Sequence, residues 1–425
     1  MTNLRSRITG WLVRRHFART KKKGFSLSGI PFLPESVLMP LKRVGVDPVA
    51  ELGRVRETEP VSKLPVPFGM NAWLITGYDE SKHVLSKVDL FSNDFSNLAG
   101  SFGITAEENP GGLGFTDPPE HTKLRKLLTP EFTMRRLSRL TPRIEAIVEG
   151  QLDEIARSGA PVDLVQHFAL PIPSLTICEL LGVPYEDRAD FQRLSTARFD
   201  LFGGANASLG AISESLVYLR GIVQKQRSDP GEGMIGMLIK EHGDEVDDDE
   251  LASMADGLLT GGLETTASML ALGALVLLQD REHFQLVHDQ DEAINPFVED
   301  LLRHLTVVQV AFPRFAKVDM ELGGKQISAG DVIIVSLSGA NRDKALGTDM
   351  DTFDPTRPAN ASHLAFGHGI HRCIGAELAK MELRAAYPAL VRRFPKMRLA
   401  VPPQDLAFRQ LSIVYGMDKL PVFAE

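Results

Sequence analysis

One cysteine in this chain stands in a setting built for chemistry. The run His363-Leu364-Ala365-Phe366-Gly367-His368-Gly369-Ile370-His371-Arg372-Cys373-Ile374-Gly375 places Gly367, Gly369 and Gly375 around a single thiol. Glycines let a backbone turn sharply and lie close to a flat ligand. The next residues, about 375–394, carry helical periodicity and stop before Pro395, so Cys373 precedes a helix N-terminus. A thiol there, beside His371 and Arg372, should ionise easily. Its thiolate would serve as a nucleophile or as a metal ligand. No second cysteine or His-x-x-His pair stands near, which leaves zinc poorly supported. The other cysteine, Cys178, lies in the apolar run Leu175-Thr176-Ile177-Cys178-Glu179-Leu180-Leu181 and reads as core packing.

A second polar feature interrupts an apolar stretch. Residues 257–278 contain one charge, Glu264, within Gly261-Gly262-Leu263-Glu264-Thr265-Thr266. The stretch is long enough to cross a bilayer. Acids flank it (Asp247, Asp248, Asp249 and Glu250 before, Asp280 and Glu282 after), and no basic cluster marks a cytoplasmic side. It reads as a buried helix with a polar notch. Each glycine costs a helix about 1 kcal/mol relative to alanine, so the pair needs a reason. One reason is close helix packing, with Glu264 paired and Thr265 bonded back to a carbonyl. The other is a reaction site, where a buried carboxyl with a raised pKa suits proton transfer.

Basic residues recur at helical spacing. Asp117-Pro118-Pro119-Glu120 reads as a helix start with Asp117 as N-cap, and the helix runs to Leu128. His121 and Arg125 then share one face, suited to a solvated surface or to carboxylates. In Val298-Glu299-Asp300-Leu301-Leu302-Arg303, both Glu299 and Asp300 are within helical reach of Arg303.

The elements that must position these groups are mainly helical. Helical periodicity dominates from about 118 to 305. β-like pieces stand at Ala72–Thr76, Thr306–Val308, Met320–Leu322 and Val332–Ser336. The fold class is therefore mainly α with a small strand-rich region drawn from both ends of the chain, an α+β layout. Residues 92–115 form a glycine-rich loop long enough to act as a lid. The chain has 425 residues, 43% hydrophobic and 24% charged, which fits a globular protein with a large core. Two cysteines are too few for a disulfide scaffold and suit a reducing compartment. The net charge is −8, yet residues 1–34 hold eight basic residues and no acid, so residues 35–425 carry −16. That balance argues against a nucleic-acid-binding core. The arm lacks the apolar run of a secretory signal. It reads as a loose tail or as a contact for anionic lipid or a partner.

With these residues in view, the sequence resembles the cytochrome P450 superfamily, in particular its soluble bacterial members. Phe366-Gly367-x-Gly369-x-His371-x-Cys373-x-Gly375 matches the family's haem-binding loop at every defined place. The resemblance spans roughly residues 65–425 and implies one catalytic domain over 35–425 with haem b between the notched helix and the cysteine loop. It implies that Cys373 is the axial iron ligand, and that Phe366, Gly367, Gly375 and Gly262 lie against the cofactor. His121, Arg125, Arg314 and His371 would meet the propionates. Glu264 and Thr265 would manage proton delivery to bound dioxygen. Asp300, where the family usually has Glu, would join Arg303 and Arg357 in a structural network. Phe102, Leu113, Phe202, Val307, Val308, Ala311 and Ile413 would line an apolar substrate pocket. The implied activity is monooxygenation, by hydroxylation or epoxidation, of an apolar small molecule such as a secondary metabolite, terpenoid, steroid or lipid. Electrons would come from a ferredoxin and its reductase, with a basic proximal surface near Lys126 and Arg372 meeting the acidic partner. A cytoplasmic, monomeric enzyme without a transmembrane segment is expected. The alternatives are a peroxide-using or rearranging haem-thiolate enzyme and a non-catalytic haem-binding protein.

Overall fold

The computed structural model describes residues 34–66, 71–94, 113–184, 187–188, 209–358 and 362–425. Phe102, Phe202, most of the loop 92–115 and nearly all of the basic arm lie outside the described residues. The described helices of nine or more residues are α1 (Ala50–Thr58), α2 (Tyr78–Ser86), α3 (Glu120–Leu128), α4 (Thr141–Arg157), α5 (Pro171–Leu181), α6 (Leu209–Ser228), α7 (Met234–His242), α8 (Asp248–Gln279), α9 (Arg281–Asp289), α10 (Ile294–Leu305) and α11 (Ala376–Arg393). The strands are β1 (Val61–Leu64), β2 (Ala72–Ile75), β3 (Phe91–Ser92), β4 (Val162–Asp163), β5 (Arg314–Ala316), β6 (Val332–Val335), β7 (Arg398–Leu399) and β8 (Pro421–Phe423), with short hairpins at 43–48 and 320–327.

The principal sheet has the order β1-β2-β6-β5-β3. Val332 pairs with Ala72 and Val335 with Ile75 in parallel, and the other pairings are antiparallel. Strands from the two ends of the chain thus share one sheet. A second sheet, β7-β8-β4, ties the C-terminus to residues 162–163.

Helix α8 is the axis of the body. Asp247 accepts a hydrogen bond from the Glu250 N–H (2.8 Å), and Asp248, Asp249 and Glu250 fill the first turn. Those acids complement the positive end of the helix dipole. The same acidic flank that argues against a membrane span therefore starts the helix. Its length and apolarity would suffice to cross a membrane, but 78% of the apolar window is buried against protein. Helices α5, α6, α10 and α11 pack on it. Leu270 through Leu277 are buried without a break, each large side chain contributing roughly 1.5–3 kcal/mol. At Gly273 an added Cβ would overlap the Tyr387 ring and the Leu301 side chain, so the glycine lets α10 and α11 close in. Tyr387 Oη then donates to the Met269 carbonyl (2.6 Å).

Two local expectations change. Asp117 does not cap α3: its carboxylate accepts from Ser92 Oγ (2.6 Å) and Asn93 N (2.7 Å), binding the helix approach to β3. The long-range partners satisfy the carboxylate better than the bare helix end. Thr306 is not extended but left-handed (φ 38°), ending α10. Its Oγ1 donates to the Arg303 carbonyl (2.6 Å), and Asn341 Nδ2 and Arg43 Nη2 bond to its polar atoms (2.8 and 3.0 Å).

Glu382 on α11 is a carboxyl inside the core. Burial pushes its pKa up to about 8, and the Thr176 hydroxyl offsets part of the rise. Above about pH 4.5 the unfolded chain releases this proton while the folded chain keeps it, so this group lowers stability as pH climbs from 4.5 towards 8. Glu382→Gln should therefore gain stability relative to the parent between pH 5 and pH 8 in urea unfolding. A parallel pH dependence for the two proteins would contradict the buried neutral acid.

Candidate active site

The cysteine loop is shaped from outside. Gly367 and Gly369 have φ of 69° and 73°, a region that other residues rarely adopt. A Cβ at Gly369 would overlap the Leu85 and Ser86 backbone at the end of α2, so the loop lies against that helix. Cys373 N–H donates to the Phe366 carbonyl (2.8 Å), closing the turn. Arg125 Nη1 donates to the Arg372 carbonyl (2.7 Å), tying α3 to the same turn. Cys373 retains accessible surface. Enough protein surrounds it, however, that burial pushes the thiol pKa up, against the Gly375 N–H and the Arg125 and Arg372 charges that pull it down. The sulfur thus faces an interior space rather than bulk water. The expected easy ionisation is not the property of the loop alone: desolvation outweighs the helix end and both arginines. A cation bound at the sulfur would reverse that balance.

Cationic groups converge beside it. The His121 and His371 rings lie 4.2 Å apart, and His371 Nδ1 bonds to the Leu113 carbonyl (2.9 Å). Burial, then Arg314 and His121, push His371 down to about 4. Burial lowers Arg314 to about 10, which leaves it charged at neutral pH, with its Nη1 on the Phe312 carbonyl (2.8 Å). His121 is buried, and its Nε2 has no hydrogen-bond partner among the described residues. A buried donor set that depresses its own histidines and leaves one nitrogen unsatisfied matches a ligand carrying carboxylates. With the cysteine sulfur, it fits haem: one axial ligand and four groups suited to the propionates.

The notch of α8 is the second polar feature. Thr265 Oγ1 donates to the Gly261 carbonyl (2.9 Å). An added Cβ would meet nothing within 4 Å at Gly257 or Gly261, whereas at Gly262 it would meet Ile177 Cδ1 at 3.1 Å. Within the pair, Gly261 borders open space, and Gly262, expected at the cofactor, has a packing contact with α5 through Ile177. Glu264 is buried, and Arg409 Nη1 donates to its Oε1 (2.7 Å). Burial pushes this carboxyl up to about 7, while Arg409 pulls it down.

Val307 and Val308 run beside the C-terminal segment: Tyr415 N–H donates to the Val307 carbonyl (2.7 Å), Gln309 N–H to the Ile413 carbonyl (2.9 Å), and Val308 bridges Val414. Ile413 is half exposed and Ala311 bonds to Val335 (2.9 Å), while Leu113 adjoins His371. The described pocket candidates thus gather from three chain segments.

Asp300 is the acid of the structural network. It binds Arg303 Nε (2.5 Å) and Nη2 (3.1 Å), forms an ion pair with Arg357 (3.0 Å) and accepts from Asp354 N (2.7 Å). Arg303 reaches on to the carbonyls of Asn341, Met350 and Thr352. Glu299 faces elsewhere, to His363, Lys380 and Arg384 (3.2, 2.8 and 3.3 Å), so it links α10 to the cysteine loop and α11. Sequence spacing alone does not separate these two acids, and nothing local points to Arg409, which lies 145 residues from Glu264.

A family model described as Cytochrome P450 matches residues 223–406. The chain is 38% identical over 387 residues to cytochrome P450 FAS1 of Rhodococcoides fascians, covering 89% of this chain and 96% of that one. It is 37% identical to a vitamin D3 dihydroxylase of Streptomyces griseolus, over 87% of this chain and 92% of the relative. Among solved structures, OxyE, a cytochrome P450 involved in teicoplanin biosynthesis, superposes with a TM-score of 0.82 at 38% identity, covering 92% of this chain and 100% of that one.

Asp300→Asn should cost about 3–5 kcal/mol, since it removes the buried counter-charge of Arg303. Urea unfolding of the haem-loaded variant measures this, and a loss below 1 kcal/mol would contradict the network.

Proposed function

Because this chain belongs to the cytochrome P450 family and is a haem-dependent monooxygenase, we propose that it hydroxylates or epoxidises an apolar small molecule of the secondary-metabolite, steroid or lipid type. Electrons come one at a time from a ferredoxin and its reductase. Residues 35–425 act as one catalytic unit, monomeric and cytoplasmic, with the basic arm outside it.

The observations that carry this reading are a cysteine sulfur whose surroundings push its thiol pKa up and, on α8, a notch with open space at Gly261. Haem bound through Cys373 supplies an iron that, once reduced, activates dioxygen. The chain's own residues do the rest. His121, Arg125, Arg314 and His371 would hold the two carboxylates. Gly261 leaves open space at the notch. The Thr265 hydroxyl donates its proton to the Gly261 carbonyl, which leaves the Oγ1 lone pairs to accept a hydrogen bond at the notch. Glu264, with its pKa near 7, holds a proton on about half of the molecules at neutral pH and so both gives and regains it. The apolar side chains of Val307, Val308 and Ile413 exclude water and favour an apolar substrate. The vitamin D3 dihydroxylase and teicoplanin-pathway relatives support this substrate class. The exposed Arg372 beside α3 supports an acidic electron donor.

The reduced, carbon monoxide-bound protein should show the red-shifted Soret band of thiolate ligation, and Cys373→Ser should lose it. A band at the position typical of histidine ligation would overturn the assignment. Thr265→Ala should lower product formed per electron pair consumed by about 10-fold, measured as product against NAD(P)H oxidised; undiminished coupling would remove the hydroxyl from proton delivery.

A further inference from the structure

Arg409 has no place in the haem site, yet it is among the most buried charges in the C-terminal segment. A short antiparallel turn presents it: Arg409 N–H donates to the Gly416 carbonyl (2.9 Å), Phe408 bridges Met417, and the Phe408 and Tyr415 rings stack at 5.8 Å. Its guanidinium reaches three side chains on two elements. Nη1 donates to Glu264 Oε1 (2.7 Å) and Nη2 to Ser268 Oγ (3.0 Å), both on α8, while Nε lies 3.4 Å from Asp418 Oδ1. A Cβ at Gly416 would overlap both the guanidinium and Ser268 Oγ, so this glycine forms the floor of the slot. The two acids differ sharply: the Glu264 side chain is 6% exposed and that of Asp418 is 68% exposed.

We propose that Arg409 is a positioning residue that latches the buried acid Glu264, and that surface Asp418 sets the strength of the latch by sharing the same guanidinium. The proposal rests on the monooxygenase reading and deepens it, since Glu264 is the acid that reading uses. When Glu264 is ionised, its charge and that of Asp418 flank one cation. When a proton from solvent reaches Glu264, the carboxyl becomes neutral, and Arg409 keeps its charge, now balanced by Asp418. Arg409 itself transfers no proton. Among the described residues, Glu264 and Asp418 bear on Arg409, and Arg409 bears on Glu264. Removing either end of the latch therefore moves Glu264 in opposite directions. Loss of the cation leaves burial unopposed and raises the midpoint, whereas loss of the surface anion frees the cation for Glu264 and lowers it.

Infrared difference spectroscopy of the haem-loaded protein, with the band assigned by its loss in Glu264→Gln, reads the ionisation of this carboxyl against pH. Arg409→Gln should raise the midpoint by about one pH unit or more, Arg409→Lys should stay near the parent, and Asp418→Asn should lower it. The pH at which coupling is greatest should move in the same directions. An unmoved midpoint in Asp418→Asn, a surface change that leaves the core intact, overturns the proposal even if Arg409→Gln does not fold. So does an unmoved midpoint in Arg409→Gln. The carbon monoxide spectrum of the parent is recorded separately, so failure of thiolate ligation is distinguishable from failure of the latch.

Discussion

Holding a sulfur in a desolvated interior without letting the loop collapse onto it is the constraint from which the rest of the site follows. Burial alone disfavours the thiolate, and the Gly375 N–H, Arg125 and Arg372 do not make up the deficit. A bound cation would, and the loop is fixed from without. Gly369 presses on the end of α2, Phe366 accepts the Cys373 N–H, and Arg125 grips the Arg372 carbonyl. Glu299 adds a further tie through His363 and Lys380, and these partners hold its carboxyl down at about 2 despite its burial. Its contribution to stability is therefore complete above about pH 4.5 and fades only as pH falls towards 2.

The same logic of compensated charge organises the surroundings. Burial and Arg314 keep His371 neutral at neutral pH, and His121 Nε2 has no hydrogen-bond partner among the described residues, an arrangement that an anionic ligand relieves. Arg303 and Arg357 share Asp300, and Arg303 spends its remaining donors on carbonyls of the segment 341–352. Here a shorter acid does the work that the family gives to glutamate, because the Asp300 carboxylate lies flat against the Arg303 guanidinium three residues along the helix. In α8, burial and Arg409 oppose each other at Glu264, and the result is a carboxyl that titrates near neutrality.

What was legible in the sequence was local. The glycine spacing around Cys373, the notch at Gly261–Thr266 and the His121–Arg125 pair are each contained within about ten residues, so spacing alone exposes them. The mixed α and β layout was equally visible, because α8 carries a long apolar run, α11 has helical periodicity, and β2 and β6 are short and apolar. Choices that depend on distant partners were not. Asp117 has the right place for an N-cap but is taken by Ser92 and Asn93. Gly261 and Gly262 are indistinguishable until Ile177 shows which of them is packed. Both packing expectations for the notch, a paired Glu264 and a back-bonded Thr265, hold alongside the reaction-site geometry. The two readings were not exclusive: pairing is how the acid is kept in place.

The central claim is that Cys373 Sγ is the protein's ligand to the haem iron. X-ray absorption at the iron edge of the haem-loaded protein tests it directly. One sulfur scatterer in the iron's first shell, lost in Cys373→Ser and retained in Cys178→Ser, is the predicted result. A first shell of nitrogen and oxygen alone in the parent protein would contradict it.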